Sequence, residues 1–287
     1  MKKTTLASVM AAACLTFSLP KAGAQTAVYT LDSDLSVINI TSTSATITGA
    51  PISLPGTTVP TLNAQPITAD SFEARYSGTI TADLTPTTFQ ILSGSSITAL
   101  DEDTYAPGPP NPNDDGDDVF IAAGAPASYG VFVEDFFATF IGVGQPDFAF
   151  ATRGFTLGLE DSSAKTLTNG SFAAASTSVA ITGGVADLDA QDNSTASLFL
   201  LSLGGSGTAA NSAATNGSIL LDAQTQVETL TIPVEYAFTL ADPNTGLSIT
   251  TDFAGQIVAT RLIPEPSSLL LLALGGTLTA IRRRSIA

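Results

Sequence analysis

The side chains that could do chemistry in this 287-residue chain are nearly all carboxylates, because it has no histidine and one cysteine, Cys14, inside the first apolar run. Histidine and cysteine supply the base of a Ser-His-Asp triad, the nucleophile of a Cys-His pair and the usual ligands of zinc, so those mechanisms cannot be built here. Walker-type loops that cradle phosphate are absent too. What remains is carboxylate catalysis, such as the acid pair of a glycosidase, with Glu134, Asp135, Glu160, Asp161, Glu228 and Glu235 as candidates. Neighbours such as Glu134 and Asp135 would point to opposite faces of a strand and could not act on one substrate. Sugar clefts favour aromatic platforms, and a chain with no Trp and five Tyr has few to offer.

The second candidate chemistry is ligation by hard oxygens. Asn111, Asn113, Asp115 and Asp117 occupy alternate positions in an Asn- and Asp-rich run, with Gly116 where a loop would turn sharply. This spacing matches positions one, three, five, seven and six of a calcium loop. Position twelve is Ala122 rather than a bidentate Glu, so the loop is partial, and Asp101 and Asp103 stand across the turn as further donors. A solvated acidic loop is the alternative reading, and no cofactor other than this Ca²⁺ is expected.

Charge narrows the partners. Between Gln25 and Ile263 there are 25 acidic residues and only four basic ones, Arg75, Arg153, Lys165 and Arg261, a net of −21. Such a surface repels nucleic acid and acidic polysaccharide at close range, attracts divalent cations and keeps an exported protein soluble.

The remaining basic residues mark the two ends. Lys2 and Lys3 precede an apolar stretch from Leu6 to Leu19, followed by Ala22-Gly23-Ala24. This order is that of a secretory signal peptide, residues 1–24, and Ala22 and Ala24 suit the two small pockets of signal peptidase, giving a mature chain that starts at Gln25. A lipoprotein reading of Cys14 fits less well, because residues 11–13 are all alanine and the apolar run continues past the cysteine. Removal of the leader would leave no cysteine and hence no disulfide.

At the other end, Pro264-Glu265-Pro266 is followed by Ser267-Ser268, an apolar run from Leu269 to Ile281 and then Arg282-Arg283-Arg284. A helix over residues 267–281 would span about 23 Å, against roughly 30 Å of hydrocarbon, a short membrane segment whose arginines would stay cytoplasmic. These three elements, in this order, resemble the PEP-CTERM sorting signal of Gram-negative bacteria. The resemblance covers residues 264–287 only. It implies an exosortase-type membrane enzyme that cleaves near Pro264-Glu265-Pro266 and delivers the protein to the cell surface or the exopolysaccharide matrix. The body is more loosely similar to uncharacterised secreted proteins that carry this tail, through residues 75–80, 94–97 and 231–234, and no activity follows from that.

The elements that must hold any site are strands. Residues 72–84 alternate, with Phe72, Ala74, Tyr76, Gly78, Ile80, Ala82 and Leu84 on one face, which predicts a half-buried antiparallel strand. Further strands are expected over 35–40, 45–48, 88–92, 129–134, 147–153, 155–160, 197–203, 229–240, 247–253 and 256–262. Turns are expected at Pro51, Pro55-Gly56, Gly94, Gly183-Gly184 and residues 242–246. Residues 101–118 read as an irregular acidic loop and 204–217 as a mobile Gly/Ser/Ala/Asn tract. Many strands without crossover helices predict an all-β body over residues 25–263, an antiparallel sandwich or flattened barrel, between the leader and a single hydrophobic C-terminal helix. The functional expectation is a non-enzymatic structural or adhesive protein of the surface or matrix. A carbohydrate-binding module associated with exopolysaccharide and a carboxylate-dependent hydrolase are the alternatives.

Overall fold

The computed structural model describes residues 24–47, 65–66, 72–104, 126–133, 148–175, 177–192, 195–205, 207–242 and 247–263. Among them there is no helix. The strands are β1 (Gln25–Leu31), β2 (Val37–Ile47), β3 (Gln65–Pro66), β4 (Glu73–Leu84), β5 (Thr88–Ile91), β6 (Ser95–Ala99), β7 (Asp103–Thr104), β8 (Pro126–Ala127) and β9 (Tyr129–Val133). They continue with β10 (Phe148–Glu160), β11 (Lys165–Thr166), β12 (Ser171–Ala173), β13 (Ser178–Asp192), β14 (Thr195–Ser202), β15 (Thr208–Ala210), β16 (Asn216–Asp222), β17 (Val227–Asp242) and β18 (Leu247–Leu262). The expected all-β body is therefore present as one large antiparallel sheet, running β12-β16-β17-β18-β1-β4-β6-β10-β13-β14, with only the β7–β8 pair apart from it.

Alternation explains which face is buried. On β4, Ala74, Tyr76, Ile80 and Ala82 point inward and are buried, while Thr79 between them faces solvent. Gly78 shares the inward face and has φ of 133°; a Cβ there would lie 2.3 Å from the Ser96 carbonyl oxygen, so only glycine lets β6 approach. The inward residues form one apolar cluster that includes Tyr29, Ile38, Tyr76, Phe89, Leu157, Leu230 and Ile257. Each such side chain contributes about 1.5–3 kcal/mol by leaving water.

The sheet turns back on itself. Phe155 on β10 and Phe253 on β18 stack at 6.2 Å, although three strands separate β10 from β18 along the path. Tyr129 of β9 meets both rings edge-on, at 5.9 and 5.5 Å. β15 pairs with β13, and the residues after it reach β17. Asn211 donates through Nδ2 to the Pro233 carbonyl (2.8 Å) and accepts the Glu235 N–H at Oδ1 (2.9 Å), and the Ser212 N–H donates to the Glu235 carbonyl (2.7 Å). Asn211 thus takes over the edge of β17 that β16 occupies only as far as Thr231.

Several expectations need correction. Gly183-Gly184 does not turn the chain but lies inside β13, where Gly184 (φ 114°) sits opposite an irregularity of β10 and a Cβ would come within 2.9 Å of the Phe155 Cα. The two strands expected over 147–160 are one strand bent at Gly154, and those over 247–262 are one strand whose register against β2 shifts between Asp252 and Phe253. The tract 204–217 is not a featureless loop: it holds β15 and the start of β16, and it buries Asn211 and Ala213. The leader to Gly23 and the C-terminal segment 264–287, with its expected helix, lie outside the described residues.

Candidate functional site

Inward alternation carries polar residues to one pole of the body. β17 buries Leu230, Ile232 and Val234, and the next inward position towards its start is Glu228. β18 buries Ile257 and Ala259, and the next inward position towards its end is Arg261. The register sets these two directly opposite each other, Glu228↔Arg261. β1 lies along the other edge of β18, with Thr30 opposite Thr260, and this puts the inward Tyr29 beside the pair.

Glu228 Oε1 accepts from Arg261 Nε at 2.7 Å and from the Tyr29 hydroxyl. The guanidinium carbon lies 5.1 Å from the centroid of the Tyr29 ring, a cation–π arrangement. Burial, and then the hydrogen bond to Glu228, push the Tyr29 hydroxyl well above the ordinary tyrosine range, so it stays a donor at any physiological pH. Glu228 and Arg261 line an open cavity of about 450 Å³ together with Gln25, Leu84, Leu167, Ile219 and Ile263.

A second network stands next to it. Asp161 follows β10 directly and is buried, whereas Glu160 before it is exposed, as alternation requires. Asp161 Oδ2 accepts the Ile91 N–H at 2.9 Å. Its Oδ1 accepts from Thr177 Oγ1 and from Lys165 Nζ, each at 2.9 Å. Lys165 also donates to Thr177 Oγ1 (2.7 Å) and to the Ala175 carbonyl (3.2 Å). This network borders a cavity of about 330 Å³; Thr166 lines that cavity and Leu167 the larger one, so the two are neighbours.

Of the four candidate acids among the described residues, two are buried, in separate cavities, each satisfied by a base and a hydroxyl. Among the described residues, neither cavity is lined by a second carboxylate of the kind a glycosidase pair uses. Glu235 is exposed on the outer face of β17, and Glu134 and Asp135 lie outside the described residues. Asn111, Asn113, Asp115 and Asp117 lie outside them as well, as do Pro264, Glu265, Pro266 and Ala22. Ala24 is exposed and immediately precedes β1. Asp101 accepts the Gly154 N–H with both oxygens (3.2 and 3.0 Å), so it caps the bend of β10. Among the described residues, no group of three or more His, Cys, Asp or Glu could hold a metal ion.

Sequence reasoning passed over Tyr29, Arg261, Lys165, Thr177 and Asn211. One signal for two of them was available: the body has only four bases, and Lys165 follows Asp161 by four residues while Arg261 ends an alternating strand.

Nine aromatic rings, Tyr29, Tyr76, Phe89, Tyr129, Phe155, Phe172, Tyr236, Phe238 and Phe253, are buried and give a sugar no flat platform, while Phe72 is half-buried against the core. No family model, no curated protein and no solved structure matches the chain.

Proposed function

We propose that the chain is an exported structural or adhesive protein of the cell surface or extracellular matrix of a Gram-negative bacterium, sorted by a PEP-CTERM tail. The observation that carries this reading is the pair of ends: a basic, apolar, small-residue leader before Gln25, and Pro-Glu-Pro, a Leu-rich run and three arginines after Ile263. Signal peptidase and an exosortase-type enzyme are its processing partners, and the C-terminal segment holds it in the inner membrane until the second cleavage. Exopolysaccharide is the further partner that this route suggests.

Features of the body support the reading. Gln25 and Ile263 line the same cavity, so cleavage near each would leave the new termini at one pole. We read the body as a flattened barrel, the sheet being closed by Asn211 along β17. A closed sheet leaves few edges for unwanted pairing, which suits a disulfide-free protein at a crowded surface. Ca²⁺ bound through Asn111, Asn113, Asp115 and Asp117 belongs to the same proposal, as a structural ion.

The test is to replace Pro264-Glu265-Pro266 by three alanines in the native host. Export should continue, while the altered chain accumulates in the inner membrane. Normal amounts of it at the surface would contradict the sorting reading.

A further inference from the structure

We propose that the exported chain carries a pyroglutamyl group at Gln25. This rests on the reading that the leader is removed after Ala24. That cleavage leaves an α-amine on a residue whose side chain ends in a carboxamide, at the distance that closes a five-membered lactam. The α-nitrogen attacks Cδ, so a bond from the α-nitrogen to Cδ forms and the bond from Cδ to Nε2 breaks. The proton lost by the α-nitrogen leaves with Nε2 as ammonia. Atoms and electrons balance within the residue, and no oxidant, reductant or co-reactant takes part.

Two observations favour the closed ring. Gln25 is exposed, at the first position of β1, with open space at the cavity edge for the ring. It is in register with Leu84, and the lactam keeps one N–H, so ring closure leaves β1 a donor at its first position. The ring would also block aminopeptidases, a benefit for a protein exposed to the medium.

The experiment takes the protein from the surface of its native host, labels all free amines before digestion, and reads the N-terminal peptide by mass spectrometry. The expected peptide starts at Gln25, is lighter by one ammonia and carries no label on its α-nitrogen; pyroglutamyl aminopeptidase should remove that residue and leave a Thr26 amine that a second labelling step modifies. A Gln25→Ala chain should keep the same start and take the label fully. A peptide that begins at Gln25 with a labelled amine overturns the cyclisation and leaves the cleavage reading intact. A peptide that begins anywhere else overturns both.

Discussion

Asp161 and Glu228 are both buried carboxylates at the same pole, each paired with one of the four bases of the body, yet they organise the chain in different ways. Asp161 has its base close by, Lys165 four residues on; with Thr177 and the Ile91 N–H of β5, 70 residues back, it fastens the segment between β10 and β13 that carries β11 and β12. Glu228 works at long range, joining Tyr29, 199 residues away in sequence, to Arg261 at the end of the body. Asp161 has both oxygens committed, whereas the hydrogen bonds to Glu228 converge on one. The difference teaches that a buried ion pair can act as a local clip or as a tie between the two ends of a domain. Net stabilisation by either is limited by desolvation, but removing one partner is costly.

The largest effect is expected at the clip. Asp161→Ala strands the ammonium of Lys165 and the Ile91 N–H, and should cost about 3 kcal/mol, a fall in melting temperature of roughly 6–12 °C for a body of this size. Asp161→Asn, which keeps an acceptor for Ile91, should cost less. Equal losses for the two would break the distinction drawn here, because they would assign the whole effect to the charge.

A smaller effect is expected at the tie. Tyr29→Phe should cost about 1 kcal/mol, and the same substitution should cost almost nothing in a Glu228→Leu, Arg261→Met background, which has no acceptor for the hydroxyl. The cycle is read from denaturant midpoints. Additive losses would mean that the Tyr29 hydroxyl does not act through Glu228 and Arg261.

How much of this was legible follows from range. Alternation over 72–84 gave β4 and its buried face, because the period-two signal is written in consecutive residues. β1 was not recognised as a strand, since Gln25–Leu31 follows the leader so closely that the export signal dominated the reading. Gly183-Gly184 carries the composition of a turn, but the close packing of Phe155 against Gly184 requires glycine inside a strand, and that neighbour is about 30 residues away in sequence. Asn211 was hidden for the same reason. Its value comes from Pro233 and Glu235, and a Gly/Ser/Ala/Asn tract gives no hint that one asparagine will complete a sheet. The acids were visible as types, while their pairing depended on registers that no local pattern specifies.

The smallest effect concerns the third acidic region, the run from Asn111 to Asp118, which contrasts with both networks in having no base near it in sequence. Extracellular calcium sites have dissociation constants of about 0.1–1 mM. At about three times that concentration, the gain in stability is only about 0.8 kcal/mol. Calcium should raise the melting temperature more than sodium chloride at matched ionic strength, and Asp115→Asn with Asp117→Asn should erase the difference. Equal shifts from the two salts in the unaltered chain would make this run a solvated loop.

The proposed sorting is tested most directly at the C-terminus of the mature protein. Intact-mass analysis of the chain released from the native host's surface should give a polypeptide that ends near Pro264-Glu265-Pro266 and lacks Arg282, Arg283 and Arg284. A surface chain that still carries those three arginines would contradict it.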